Sequence, residues 1–329
     1  MDNSVVSIQL SEPDCSFAVW KNGRIIDKKF CLSDDNTIAF EQASMYESWT
    51  EPVIQHFETV TGEEEPAFSN LPMHSGSLMV FDTWGTSSYY HLLIDHIIPL
   101  WATKKYLELN YSKDGCREPF SYYRISTNDY PHELSTINVI FSHFMGSEFL
   151  EKVSGEYDNV VYGYLYPFRP HRGPKYENRI FENYRQYLSM FRDEFRYKSP
   201  TEDRVILVPE RADRKQKFVE YFTNKYKDKF NFKSVDFGKL TIEEQIKICG
   251  QASGIFGAEG AAFANQVFLP DNAFCIPVCK EAHRFLFHEN LANYCGHKFL
   301  AINPRFYNKA KCEQQILQVL NAFQSAAAP

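Results

Sequence analysis

Two side chains able to exchange a proton lie four residues apart in the segment HLLID. His91 and Asp95 therefore project from one face if the segment is helical, where the carboxylate can orient the imidazole or itself act as a base. Their neighbours at 92–94 and 97–98 are apolar, and a polar group on such a helix is costly unless it is hydrogen-bonded or used in chemistry. We predict a general base here, with a hydrogen-bonded core histidine as the alternative.

A second candidate site is the small-residue segment GIFGAEGAAFAN at 254–265. Glycines and alanines at a turn that opens a helix let backbone N–H groups approach a diphosphate, with the helix dipole behind them. The predicted binding residues are Gly257, Glu259, Gly260, Ala261, Ala262 and Asn265. We expect Glu259 to face ribose or sugar hydroxyls, and Asn265 to fix the loop or a ligand hydroxyl. The alternative is close packing of a helix on a strand, because this glycine spacing alone is weakly specific.

Two arginines follow the apolar strand-like run of VPERADR, at Arg211 and Arg214. Turns at the carboxyl ends of strands in a doubly wound sheet face one crevice, so these arginines can share a site with the 257–262 segment. Arginine pairs phosphate oxygens through two hydrogen bonds. We predict phosphate-binding arginines, with a solvated run of charges as the alternative.

A zinc site is the other chemistry that the residue types allow. Six candidate ligands fall in a short span: Cys275, Cys279, His283, His288, Cys295 and His297. However, the span has no Cys-x-x-Cys pair, and NAFCIPVC is typical of a buried strand in which cysteine is a small hydrophobic residue. We predict no metal site, and we expect the eight scattered cysteines to be reduced.

The elements that position these residues alternate between strand and helix. SLMVFDTW predicts a strand and YYHLLIDHIIPLWATKKYLEL an apolar helix, whereas an earlier segment predicts a hairpin with its turn at Asn22–Gly23. Further on, DRVILVPER, FKSVDF and NAFCIPV predict strands, and KFVEYFTNKY predicts a helix. The helix in TIEEQIKICGQA begins with a capping box, Thr241 and Glu244. This is the order of a doubly wound α/β fold.

Charge and chain length narrow the class of protein. The net charge is −7 and there is no Lys/Arg-rich block, which argues against nucleic acid as a partner. The first 17 residues lack the basic start of a signal peptide, and no run of about 20 apolar residues occurs. We therefore expect a soluble, cytoplasmic chain without a transmembrane segment, unless an anchor lies outside this sequence. A length of 329 residues predicts two domains.

From about residue 75 to 278 these segments resemble glycosyltransferase family 61. YYHLLIDHIIPLW is similar to the family's aromatic-His-x-x-x-Asp helix, and VPERADR to its arginine-bearing strand end. LTIEEQIKICGQASGIFGAEGAAFANQVFLP is similar to its Glu-Gln helix followed by a glycine-rich loop, an Asn and a Phe. The sequence departs at Leu92, where Trp often follows the His, and at Glu259, where many members carry His.

The resemblance implies an α/β protein of the GT-B type, with two Rossmann-like, doubly wound domains facing a cleft. We place an acceptor-side domain at 1–175, a nucleotide-sugar-binding domain at 176–310, and a C-terminal helix at 311–329 that packs across the junction. The Pro-, Arg- and Gly-rich run at 166–175 is the expected connection.

The implied activity is inverting transfer of a sugar from a UDP-sugar to a hydroxyl of a glycan acceptor, with UDP-xylose the first donor to test. His91 oriented by Asp95 is the favoured base, and Asp95 alone is the alternative. Arg211, Arg214 and the amides near Gly260 are expected to stabilise the departing diphosphate. No cofactor or metal is expected, because the sequence lacks the Asp-x-Asp pair with which single-lobe glycosyltransferases hold a divalent cation.

Two other classes remain open. A Rossmann-type oxidoreductase or methyltransferase would use the glycines at 254–260 for its cofactor, but these lie late in the second α/β segment and lack an acidic strand end about 20 residues later. A non-catalytic glycan-binding protein would bind the donor without transferring its sugar.

Overall fold

The computed structural model describes residues 17–26, 29–31, 58–59, 71–82, 88–110, 119–125, 131–150, 152–163, 180–198, 205–210, 217–279, 285–305 and 308–325. The chain forms two compact units. The first comprises Met1–Phe168 and Glu177–Phe181, and the second comprises Arg169–Tyr176 and Glu182–Pro329. The GT-B arrangement and the boundaries proposed from the sequence stay predictions.

The first unit contains a seven-stranded mixed sheet. Its strands are β1 (Phe17–Ile26), β2 (Lys29–Cys31), β3 (Glu58–Thr59), β4 (Met73–Asp82), β5 (Phe120–Ile125), β6 (Phe149–Leu150) and β7 (Ser154–Gly163), in the order β3-β2-β1-β7-β4-β5-β6. Strand β4 pairs in parallel with β5 on one side and with β7 on the other, whereas β1 pairs antiparallel with β2 and β7. A π-helix, His91–Ile97, continues into α1 (Ile98–Asn110), and α2 spans Pro131–Met145.

The predicted hairpin is confirmed, but its predicted turn at Asn22–Gly23 is wrong. β1 continues through both residues to Ile26 and pairs with β2 only over its last three positions. Its register with β7 extends from Phe17 opposite Gly163 to Ile26 opposite Ser154. This long ladder outweighs the local preference of Asn-Gly for a two-residue turn.

The second unit contains a five-stranded parallel sheet. Its strands are β8 (Val205–Pro209), β9 (Phe232–Val235), β10 (Ala252–Ala258), β11 (Phe274–Val278) and β12 (Lys298–Phe299), in the order β12-β11-β10-β8-β9. Counted along the chain this is 2-1-3-4-5, a doubly wound order whose direction of winding reverses between β8 and β10. Strands β10 and β11 are almost continuously buried, as expected in a parallel sheet covered on both faces.

Among the described residues, five α-helices accompany this sheet. They are α3 (Ile180–Phe195), α4 (Lys217–Tyr226), α5 (Ile242–Gly250), α6 (Phe285–Tyr294) and α7 (Lys309–Ser325). A 3-10 helix at Ala261–Phe268, called here the loop helix, follows β10. The predicted capping box of α5 is confirmed, because Thr241 accepts a hydrogen bond from the backbone of Glu244 and the Glu244 carboxylate accepts one from the backbone of Thr241.

The core of the second unit is rich in aromatic side chains. Phe222 of α4 lies edge-on to Phe256 of β10 with ring centroids 5.3 Å apart. One face of α7 supplies Cys312, Ile316 and Leu320 to the same cluster, at the four-residue spacing of a helix. In the part of the chain that the structure describes, no helix is long and apolar enough to cross a membrane.

Candidate functional site

The segment that carries His91 and Asp95 is helical, as predicted, but its first seven residues form a π-helix. Leu92, Leu93 and Ile94 are buried, so the apolar face of this helix packs inward. His96 is also buried. Because π-helical turns are rare and often occur at functional sites, the geometry supports a special role for this segment.

The His91 and Asp95 side chains are hydrogen-bonded to each other. Nδ1 of His91 lies 2.6 Å from Oδ2 of Asp95, and the two side chains are 32% and 21% exposed. When Nδ1 donates its hydrogen to the carboxylate, a neutral ring carries its acceptor lone pair on Nε2. The pair can therefore accept a proton from a ligand hydroxyl while the carboxylate stabilises the resulting imidazolium.

In chain order this helix is the next described element after β4 of the first unit. β4 ends at Asp82, and its two parallel neighbours, β5 and β7, lie on opposite sides of it. Ligands of open α/β sheets bind outside the carboxyl ends of strands where the winding reverses. The His91–Asp95 pair follows such a strand end.

Gly257 lies within β10, so the prediction that it forms part of the turn is wrong. It pairs with Pro277 of β11, and a Cβ added at this position would lie 2.9 Å from Cδ of Pro209 on β8. Close packing of two neighbouring strands therefore accounts for this glycine. Strand β10 extends one residue further, to Ala258.

The turn itself is formed by Glu259 and Gly260. The backbone N–H of Glu259 donates to the carbonyl of Val278 at 3.2 Å, which ties the turn to β11. Gly260 has φ 156° and ψ −171°, a conformation that is almost restricted to glycine. Glu259, Gly260, Ala261 and Ala262 are half-buried, whereas the rest of the loop helix is buried. These four residues, called here the 259–262 turn, are the accessible part of the predicted binding segment.

Asn265 is completely buried and bonds to the glutamine of the Glu-Gln motif, to which the sequence analysis had assigned no role in the site. Its Nδ2 donates to Oε1 of Gln245 on α5 at 3.0 Å. Nε2 of Gln245 in turn donates to the carbonyls of Phe237 and Leu240. A glutamine on the buried face of an amphipathic helix was the available signal, because a buried amide requires partners.

The predicted phosphate-binding arginines, Arg211 and Arg214, lie outside the described residues and stay predictions. The strand that precedes them, β8, ends at Pro209, directly beside β10. The winding reversal of the second unit thus lies between the strand that leads to these arginines and the strand that leads to the 259–262 turn.

The cysteines proposed as alternative zinc ligands are packed in the core. Cys275, Cys279 and Cys295 are buried, and burial raises the pKa of the Cys295 thiol to about 11. His283 lies outside the described residues. Over the described ranges, no group of three or more His, Cys, Asp or Glu side chains is arranged to hold a metal ion.

An open parallel α/β sheet with a small-residue turn at its winding reversal is typical of nucleotide-binding domains. Residues 89–276 match the sequence model of the glycosyltransferase 61 family, a range that contains both the π-helix and the 259–262 turn. The chain belongs to glycosyltransferase family 61. It is therefore an enzyme that transfers a sugar from a nucleotide-sugar to a glycan acceptor. No curated protein sequence matches the chain.

The family assignment confirms the resemblance seen in the sequence. It favours the glycosyltransferase interpretation over the oxidoreductase, methyltransferase and glycan-binding alternatives. The individual roles predicted for His91, Asp95 and the residues of the 259–262 turn stay predictions.

Proposed function

We propose that the chain is an inverting, metal-independent glycosyltransferase that uses a UDP-sugar donor, with UDP-xylose the first donor to test. The observation that carries this proposal is the His91–Asp95 pair, joined at 2.6 Å and partly exposed on an otherwise buried helix. Polar groups on such a helix are costly, and an imidazole oriented by a carboxylate is well suited to general-base chemistry.

In the proposed reaction, Nε2 of His91 takes the proton of the acceptor hydroxyl as its oxygen attacks the anomeric carbon. The new carbon–oxygen bond forms on the face of the sugar opposite the diphosphate. The bond from the anomeric carbon to the diphosphate breaks at the same time, and the diphosphate leaves with the electron pair of that bond. The configuration at the anomeric carbon therefore inverts. Asp95 stabilises the imidazolium. The alternative is proton transfer directly to Asp95, but an imidazole titrates ordinarily near neutral pH and is the better match.

The donor half of the proposal rests on the second unit. The 259–262 turn is half-buried and follows β10 at the winding reversal, where the backbone can approach a ligand because Gly260 has no side chain. Arg211 and Arg214 follow the adjacent strand and supply positive charge. Since the sequence has no Asp-x-Asp pair, these groups take the place of a divalent cation at the leaving diphosphate.

A ligand screen tests the donor. Thermal unfolding of the full chain is measured with UDP, UDP-xylose, other UDP-sugars and GDP-sugars, each with EDTA or Mg²⁺. A ligand that binds only the native state raises the melting temperature by mass action. We expect stabilisation by UDP-sugars that is unchanged by EDTA. Stabilisation by GDP-sugars alone would contradict the choice of nucleotide.

A product assay tests the mechanism. The donor that stabilises the chain is offered with oligosaccharide acceptors, and NMR of the product gives the anomeric configuration. Inversion in the presence of EDTA is expected. Retention of configuration would contradict single displacement, and strict dependence on Mg²⁺ would contradict the metal-independent scheme.

A further inference from the structure

We propose that Arg192 is a positioning residue that sets the 259–262 turn by binding the opposite end of the loop helix. This inference rests on the proposed donor site. It concerns Arg192 of α3, which is not among the predicted site residues.

The Arg192 guanidinium is buried and donates to three backbone carbonyls. Nε donates to Val267 at 3.0 Å, Nη2 to Leu269 at 2.9 Å, and Nη1 to Cys295 at 2.9 Å. Val267 and Leu269 belong to the C-terminal end of the loop helix, and Cys295 directly follows α6. One side chain of α3 therefore caps two helix C-termini, where carbonyls otherwise lack helical partners.

Only arginine offers this geometry. A guanidinium presents donors in a rigid planar fork, so three divergent carbonyls are met at once, whereas a lysine ammonium is a single point charge on a flexible stem. A cation is also favoured at the negative end of a helix dipole. Arg192 thus satisfies both the hydrogen bonds and the electrostatics of the two helix ends.

The positive charge is balanced at the protein surface by Asp271, whose side chain is 63% exposed. Its Oδ1 lies 3.1 Å from Nη2 of Arg192 and 2.6 Å from Nη1 of Arg196. Partial burial alone would raise the pKa of Asp271, but the Arg196 hydrogen bond and the charges of both arginines outweigh this effect and lower it. The carboxylate therefore stays ionised and holds the guanidinium in place.

The loop helix connects the hydrogen bonds of Arg192 to the 259–262 turn. It starts directly after Gly260, an N-cap without a side-chain hydrogen bond, and its residues from Phe263 to Phe268 are buried. The 259–262 turn is therefore held on one side by the bond of Glu259 to Val278 of β11, and on the other by the buried helix that follows it. Because Arg192 fixes the far end, its loss is expected to displace backbone amides that bind the diphosphate, and to leave the His91 base intact.

Kinetics of R192K, with R196Q as the matched control, test this inference. Arg196 lies on the same chain segment and shares Asp271, but the three carbonyls are bonded by Arg192. We expect R192K to raise the donor KM about ten-fold, the size expected for lost charged hydrogen bonds, with little change in kcat at saturating donor. R196Q is expected to keep the wild-type donor KM. An unchanged donor KM in R192K, measured below its melting temperature, would overturn the inference.

Hydrogen exchange of the wild-type chain gives a second test that does not require a folded variant. If Arg192 joins the loop helix to α3, amides at 263–269 open together with those at 188–192 and show similar protection. Fast exchange at 263–269 beside a protected α3 would overturn the inference. If the wild type binds no UDP-sugar, the proposed function fails, yet coupled exchange still supports the structural role of Arg192.

Discussion

Asn265 donates a hydrogen bond to Gln245 across 3.0 Å, and both residues are buried. Because Gln245 also donates to the carbonyls of Phe237 and Leu240, a single amide network joins the start of α5 to the loop helix. The network connects the two parts of the stretch that resembles family 61, the Glu-Gln helix and the segment after the glycine-rich loop.

Loss of Asn265 should destabilise the second unit. N265A leaves Oε1 of Gln245 buried without its donor, and we expect the free energy of unfolding to fall by about 2 kcal/mol. Urea denaturation measures this change, and a double-mutant cycle with Q245A isolates the pairwise part. Full additivity in that cycle would show that the two amides do not interact.

The adjacent Gln266 provides a control, because its replacement is not expected to lower the free energy of unfolding. In the described part of the chain its side-chain amide is buried without a hydrogen-bond partner. Replacement by methionine, Q266M, should therefore be neutral or stabilising, since it removes a desolvated polar group and keeps the volume.

A methyl group at position 257 should also be costly. In G257A the new Cβ meets Cδ of Pro209 at 2.9 Å between two core strands, and we expect a loss of about 2 kcal/mol from overpacking. G238A is the matched control, because its Cβ meets nothing closer than Oδ1 of Asp236 at 3.4 Å. Thermal unfolding compares the two. Equal stability would mean that β10 and β8 shift apart freely.

Removal of the proposed base should affect turnover far more than donor binding. H91A and D95N are each expected to lower kcat by roughly 10²- to 10⁴-fold, the usual contribution of general-base catalysis. The donor KM should stay near the wild-type value because the proposed donor contacts are unchanged. H74Q, at an exposed site on β4, serves as the control. Wild-type turnover in H91A would exclude His91 as the base.

Stability should decline as the solution becomes acidic. Burial lowers the pKa of both His288 and His297 from 6.5 to about 4, and the charge of Arg192 adds to the effect at His297. Below pH 6.5 these two rings become protonated in the unfolded chain, whereas in the native chain they stay neutral until about pH 4. The free energy of unfolding therefore falls across this window, by about 1.4 kcal/mol per pH unit for each ring.

Urea denaturation between pH 7.5 and 4.5 measures that slope. H297Q keeps a donor for the Gln266 carbonyl, which Nε2 of His297 contacts at 2.9 Å, but it cannot titrate. Its slope should be shallower than the wild-type slope by the contribution of one ring. Identical slopes would mean that His297 is protonated in the native state well above pH 4.

Local patterns in the sequence predicted the second unit well. KFVEYFTNKY forms α4 from Lys217 to Tyr226, and the capping box at Thr241 is formed. These features depend on side-chain periodicity and on contacts three or four residues apart, which a sequence displays directly. The same holds for the helical spacing of His91 and Asp95.

Other features depend on partners that are distant in the sequence. The lack of space for a side chain at Gly257 follows from Pro209, and the contacts of Arg192 follow from carbonyls 75 to 103 residues away. No local pattern contains that information. The π-helix was also not predicted from the sequence. The spacing of hydrophobic residues does not show which carbonyl accepts each backbone N–H, and this choice of acceptor distinguishes a π-helix from an α-helix.

The region that identifies the family is shorter than the region that must fold. The match ends at residue 276, inside β11, whereas α7 completes the core beneath that strand with Cys312, Ile316 and Leu320. A fragment cut at the end of the match would lose β12, α6 and α7, and Phe274 would lose the ring of Phe323 on α7 that packs against it. Expression of the second unit by itself should therefore extend at least to the end of α7, at Ser325.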